Sequence, residues 1–240
     1  MSAIDTKHFR TAMKVIDIMT SDVITVSPDT SVYEAADLLL GRRISALPVL
    51  NADGRLIGII SESDLMRRGE IRSEKRSTWW RDLVKTDLRQ ASEFLRSHGR
   101  RVADVMSRDV VCATGRMPLR EAVELMERHA VKRLPVLDGH RLVGIVSRSD
   151  LLRALLAVEP SAQPSAEVED QTIRQQLLEE LKARHWAGSI VANVIVDSGI
   201  VHLWGEAGTL REVDACRALA QTIEGVRRVA SHMVVVKTVV

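Results

Sequence analysis

The sequence is poor in the features that announce chemistry. Among 240 residues there are two cysteines, Cys112 and Cys216, far apart and each in mostly apolar surroundings along the chain. That is the pattern of buried, reduced thiols, not of a disulfide framework or a thiolate metal site. No run approaches the ~18 consecutive apolar residues of a membrane-spanning helix. The first ten residues lack the apolar stretch of a signal peptide, so a cytoplasmic protein is expected. Neither sign of charge prevails, with 34 Lys and Arg against 32 Asp and Glu and a net charge of +2. So close a balance argues against the basic footprint of a dedicated nucleic-acid binder. Catalytic signatures are missing as well. There is no H-E-x-x-H, no C-x-x-C, no Walker G-x-x-x-x-G-K-[ST] and no G-x-S-x-G elbow. The seven histidines are scattered, no two at metal-ligand spacing. Neither an enzyme nor a metal centre is expected.

What is present is a composition of 45% hydrophobic and 28% charged residues, which suits a folded protein of one to two domains. An internal repeat organises it. Residues 15–66 and 102–152 align with a single-residue gap. DIMTSDVITV at 17–26 answers DVMSRDVVCA at 104–113, and VYEAADLLL at 32–40 answers LREAVELME at 119–127. ISALPVL at 44–50 answers VKRLPVL at 131–137, and RLIGIISESDLM at 55–66 answers RLVGIVSRSDLL at 141–152. Each copy reads as β-α-β-β-α. An extended segment (Val23 to Val26) is followed by a helix from near Ser31, with Val32, Ala35, Ala36 and Leu39 on one face. The short strand Leu47–Leu50, the turn Asn51-Ala-Asp-Gly54 and the strand Leu56–Ile60 come next. A second helix starts at Ser61-Glu-Ser63-Asp64. A unit of ~50 residues buries only part of its surface, so the two copies are expected to pack together.

The end of each copy invites an anion or a hydroxyl. Gly58-Ile-Ile-Ser61-Glu-Ser63-Asp64 runs from strand into helix N-terminus, and Gly144-Ile-Val-Ser147-Arg-Ser149-Asp150 repeats it. Free amides there favour phosphate, and an Asp can accept both hydroxyls of a ribose. The same Ser and Asp would equally well cap a helix, and one copy alone does not decide between the roles. The copies also differ in charge: Ser45, Ala46 and Glu62 in the first stand where the second has Lys132, Arg133 and Arg148. Arginine binds phosphate through paired hydrogen bonds, so the second copy is expected to hold the better nucleotide site, around Arg133, Ser147 and Asp150. Arg42 and Arg43 offset this only from an early, solvated turn. His129, just before the basic stretch, reads more readily as a helix-end surface residue than as a phosphate contact.

The ordered pattern D-x-M, then L-P-V, then G-h-h-S-x-S-D (h apolar), occurring twice, resembles the CBS motif, and the pair resembles a Bateman module. The resemblance implies an α+β fold in which two β-α-β-β-α motifs pack as a pseudo-two-fold pair. It implies an adenosyl ligand (AMP, ADP, ATP or S-adenosylmethionine, with or without Mg) in clefts between the motifs, regulatory and not a required cofactor. By that match Ser61, Ser63 and Asp64, or Ser147, Arg148, Ser149 and Asp150, would face ribose and phosphate. Ile44 and Ala46, or Val131, Lys132 and Arg133, would flank the base, with Thr25 and Cys112 nearby. A homodimer through the CBS pair is the expected assembly.

Three segments complete the chain. Residues 69–101 carry Trp79, Trp80, Leu83, Val84, Leu88, Ala91, Phe94 and Leu95 at helical spacing, read as core or as a dimer contact or lid. Residues 158–169 (VEPSAQPSAEVE) read as a linker. Beyond it, Ile173, Leu177, Leu178, Leu181 and Trp186 predict an amphipathic helix. Two strands around Asp197-Ser198-Gly199, a helix over Leu210–Ile223 and a strand over Val226–Val236 follow. This α-β-β-α-β order, with DSGIVHLWGEAGT and IEGVRRVASHMVV, resembles a BON domain. Expected boundaries are 13–68 and 102–157 for the CBS motifs and 170–238 for the BON domain. The resemblance implies a sensor whose BON domain is an output or tether, toward a protein partner or a phospholipid surface. The alternative is a dimeric scaffold with degenerate clefts. Arg227, Arg228, His232 and Lys237 form only a thin basic patch, read as a solvated strand edge.

Overall fold

The structure, a computed structural model, describes residues 13–66, 100–157, 167–184, 186–187 and 191–236. The aromatic stripe of Trp79, Trp80 and Phe94 and most of the expected linker lie outside the described residues. In the first repeat a single turn, α1 (Val15–Ile18), precedes α2 (Val32–Gly41), β1 (Ala46–Leu50), β2 (Leu56–Ser61) and α3 (Glu62–Leu65). The second repeat gives α4 (Val102–Val105), β3 (Ala113–Thr114), α5 (Leu119–Arg128), β4 (Arg133–Asp138), β5 (Arg141–Ser147) and α6 (Arg148–Ala157). The fold is α+β, as expected. In the first repeat, however, the leading extended segment is reduced to a bridge between Val26 and Val49.

Local chemistry sets these boundaries. The Ser31 hydroxyl accepts from the Glu34 amide (3.1 Å), and the Glu34 carboxylate accepts from the Ser31 amide (2.9 Å), which fixes the start of α2. Val32, Ala35 and Leu39 turn inward as their spacing requires. The Asn51 side-chain oxygen accepts from the amides of Asp53 and Arg55 (3.1 and 2.8 Å), closing a hairpin turn whose last residue, Gly54, has φ +74°.

Two compact units form, and their boundary cuts across the repeats. Among the described residues, one takes Asp22 through Cys112 together with Leu137–Val143. The other joins the chain up to Ser21 with Ala113–Val136 and everything from Gly144 on. Each repeat is thus completed by the lead-in of the other. In the first unit Ile59 and Ser107 exchange two backbone hydrogen bonds of 2.9 Å, and Val102 donates to Thr30 O (2.8 Å). Val102, Val105 and Met106 enter one core with Val26, Val32, Leu39, Leu47, Val49 and Ile60. In the second unit Thr20 and Ile145 exchange the equivalent pair (2.9 Å each), and Val15 donates to Met117 O (2.9 Å).

The BON-like part lies in the second unit. It comprises α7 (Glu167–Ala183), β6 (Val191–Asp197), β7 (Ile200–Ala207), α8 (Leu210–Gln221), β8 (Arg228–Ser231) and β9 (Val234–Val235). β7 is central, antiparallel to β6 and parallel to β8 and β9. The expected last strand is broken in two, and β7 runs past Gly205 to Ala207. Ser198 and Gly199 both have positive φ (+57° and +72°) in the two-residue turn between β6 and β7. Asp170 holds that turn, accepting from both amides at 2.8 Å. Ile173, Leu177 and Leu181 of α7 pack with Val194, Val196, Val201, Leu203 and Cys216. Trp186, expected on that helix face, lies beyond the helix and is exposed.

The crossing of lead-in and strand depends on a missing side chain. A Cβ at Gly144 would meet the Met19 sulfur and stand 3.1 Å from Thr20 O; at Gly58 it would stand 3.1 Å from Ser107 O. Gly144→Ala is expected to cost about 1–3 kcal/mol through overpacking, read by urea denaturation. Gly41→Ala, with open space around its Cβ, is the control and should leave stability unchanged or raise it.

Candidate functional site

Both repeats end in the same corner. In the first unit Asp64 Oδ2 accepts from the Ser61 amide (2.9 Å) and from the Ser61 hydroxyl (2.6 Å), and Ser61 Oγ lies 2.9 Å from Ser63 Oγ. Ala46 stands across the hairpin from Ser61, and the Glu62 amide donates to Ser45 O (3.2 Å), tying the segment before β1 to the corner. Ile44 and Thr25 are half-buried; Thr25 adjoins Val26, which pairs with β1. One oxygen of Asp64 is therefore spent on the corner itself. Its other oxygen, Oδ1, has no hydrogen-bond partner among the described residues.

The second unit repeats the serine–aspartate bonds of the corner. Asp150 Oδ2 accepts from the Ser147 amide (2.8 Å) and hydroxyl (2.7 Å), and the Arg148 amide donates to Lys132 O (3.0 Å). Here the second oxygen is occupied. Asp150 Oδ1 accepts from Arg153 Nη1 (2.8 Å) and from the side-chain amide of Asn193 on β6 (2.8 Å). Asp150 keeps 3% of its surface and Asn193 the same. The Asn193 amide also donates to Ile18 O (2.8 Å). Beside it the Arg174 guanidinium donates to Met19 O (2.7 Å) and Val194 O (2.8 Å), and Gln171 donates to Asp17 (2.9 Å).

Burial costs these charges, and the costs partly cancel. Loss of water lowers the Arg174 pKa to about 10, against the pull of Asp17 and then Asp150, so it stays protonated at neutral pH. Burial raises the Asp17 carboxyl above its ordinary value, although the Lys14 amide, Gln171 and Arg174 oppose it. The folded state therefore holds a proton on Asp17 more tightly than the unfolded chain does. The stability tied to Asp17 is full below pH 3.8 and is lost as pH rises through its folded pKa.

The CBS domain family model matches residues 15–70 and 102–157. An uncharacterized protein of Methanocaldococcus jannaschii is 36% identical over 155 residues, 60% of this chain and 92% of that protein. The chain belongs to the CBS-domain family. The BON domain model matches residues 169–237, so the CBS pair is followed by a BON domain. The CBS domain-containing protein YhcV of Bacillus subtilis is 30% identical over 159 residues, 66% of this chain and 97% of that protein. The crystal structure of CBSX2 in complex with AMP is similar at 29% identity and TM-score 0.52, covering 60% of this chain and 96% of that one. An inosine-5'-monophosphate dehydrogenase of M. jannaschii is 34% identical over 155 residues, but this chain spans only 26% of it. That likeness lies in the CBS region and brings no dehydrogenase chemistry with it.

Against this family pattern, the charge argument that favoured the second CBS motif meets an obstacle. Lys132, Arg148 and Ser149 are exposed, and Val131 and Arg133 half-buried, as a phosphate reader would need. The carboxylate they would surround already accepts from the BON domain. Cys112 is half-buried, its thiol turned to Val110 O (3.6 Å) and its pKa pushed up by burial. His129 is exposed at the end of α5.

Sequence reasoning missed Asn193, Arg174, Gln171 and Asp17. The signal was there: Asn193 interrupts the apolar run Val191–Val196, and a polar residue in a buried strand must find partners. Removing Arg174 strips donors from two buried carbonyls and the compensating charge from Asp17 and Asp150. Arg174→Met is expected to destabilise the protein by about 3 kcal/mol in chemical denaturation.

Proposed function

We propose that this CBS–BON chain is a cytoplasmic, non-enzymatic sensor that binds AMP or a related adenosyl ligand at the first CBS motif. Asp64 carries the reading. Its corner is built like that of Asp150, but its Oδ1 has no partner among the described residues, so it can accept a sugar hydroxyl. Ser61 and Ser63 stand beside it for phosphate or ribose, Ile44 and Ala46 for the base, and Thr25 on the adjoining segment. The likeness to CBSX2, solved with AMP, supports the choice of ligand; a polyphosphate with Mg is the variant to test beside it. Binding becomes regulation when the ligand favours one of two states, and the BON domain is the natural reader of that difference.

A carboxylate–hydroxyl bond contributes about 2 kcal/mol. Asp64→Ala should therefore weaken AMP about thirtyfold in calorimetric titration, while Asp150→Ala changes that affinity little. The reverse ranking would return the site to the second motif, and no response to AMP, ADP, ATP or S-adenosylmethionine would favour the scaffold alternative.

The same reading includes a homodimer. On α6, Leu152 and Leu156 are 57% and 69% exposed, and on α2 Tyr33 and Leu40 are 69% and 76% exposed. Apolar side chains at this exposure suit a self-complementary contact between copies. Leu156→Glu should shift the mass measured by sedimentation velocity from dimer toward monomer; an unchanged monomer in the parent chain overturns the dimer.

A further inference from the structure

The two corners differ at one atom, and that atom is where a ligand would bind. Asp64 Oδ1 has no partner among the described residues, whereas Asp150 Oδ1 accepts from Asn193 Nδ2 and Arg153 Nη1, both at 2.8 Å. A ribose hydroxyl would give a carboxylate a short O–H donor, and the Asn193 amide gives it an N–H donor in the same role. The amide is not alone. Its other N–H goes to Ile18 O, and Arg174 and Gln171 of α7 bond Met19 O and Asp17. On one side Asp150, Asp17 and the last carbonyls of α1 offer acceptors. The BON domain meets them with the donors of Asn193, Arg174 and Gln171.

We propose that the BON domain is a built-in competitor for the second CBS site, with Asn193 in the position of the sugar hydroxyl. An adenosyl ligand reaches Asp150 only when the domain has lifted from this corner. The inference rests on the adenosyl reading given above and goes beyond it, because it assigns Asn193 a function and makes ligand occupancy and domain docking exclusive. Exclusive events are linked. Whatever holds the domain down lowers the apparent affinity of the second site by the fraction of molecules undocked. The docked state carries one uncompensated loss, since Asn193 Oδ1 is buried without a hydrogen-bond partner. Release returns that oxygen to water, which favours opening.

The test is calorimetric titration of the full chain with AMP, comparing the parent with Asn193→Ala and Asn193→Asp. The second variant keeps the side-chain shape and sets a carboxylate against Asp150. Circular dichroism of both variants checks that the fold survives. The parent should bind one AMP per chain tightly, weakened about thirtyfold in Asp64→Ala. Both Asn193 variants should bind two, the additional one lost when Asp150→Ala is added. A parent that binds a second, Asp150-dependent AMP as tightly as the Asn193 variants do overturns the proposal, as does a single site in both Asn193 variants; each leaves the sensor reading standing. No AMP bound by any variant overturns the adenosyl reading and this one together, a pattern distinct from either.

Discussion

A one-turn helix cannot satisfy its own carbonyls, and that constraint reaches across the second unit. α1 ends at Ile18, so the oxygens of Ile18 and Met19 have no amide ahead of them in the helix to accept from. They lie close enough to Asp150 for a single Asn193 amide to bond both Ile18 O and the Asp150 carboxylate. The result is a patch of acceptors that the donors of its own repeat, Ser147 and Arg153 on Asp150, leave partly unfilled. Gly144 lets it form, because only a bare backbone allows Met19 and Thr20 to cross β5 so closely. Packing of the BON domain follows from filling that patch. Asn193, which bonds α1 and α6, is buried on β6 with Ile195 and Asp197, while Val194 and Val196 enter the domain's own core.

The patch is bonded by groups that dislike burial. Arg174 retains 8% of its surface and yields two strong bonds to carbonyls, but its pKa falls, the mark of a charge short of water. Asp17 shows the same loss in the opposite direction. Opposite charges at this spacing offset each other's desolvation without much surplus. Such a junction is specific, because a wrong register leaves every member unpaired.

Much of the architecture was legible in the sequence because it is written in local chemistry. Ser31 with Glu34, Asn51 with Gly54, and Ser198 with Gly199 mark caps and turns through short-range bonds that neighbouring residues determine. The alternation in β6 and β7 gave the BON sheet, and the repeat gave two equal corners. Illegible were the events between distant segments. Nothing near Asp17 says that α1 completes the second repeat and not its own, because the partner of Thr20 is Ile145. Charge alone ranked Asp150 above Asp64, since sequence shows which groups sit beside a carboxylate along the chain and not what docks on it from 43 residues away.

Duplication then explains the asymmetry. α4 ends as α1 does, and the first unit therefore owns a matching set of acceptors: Asp64 Oδ1 and the carbonyls of Val105 and Met106. Among the described residues no side chain donates to any of them. Among the described residues, the BON domain covers one of the two acceptor patches. A duplicated fold starts with equal sites, and equal sites cannot tell a cell more than the concentration of one ligand. Under the proposed competition the two thresholds would be unequal: the Asp64 corner would fill first, and the Asp150 corner only when ligand displaces Asn193. The difference in hydrogen bonding between the two carboxylates comes from what is attached to the second repeat, the Asn193 amide of β6 on Asp150 Oδ1.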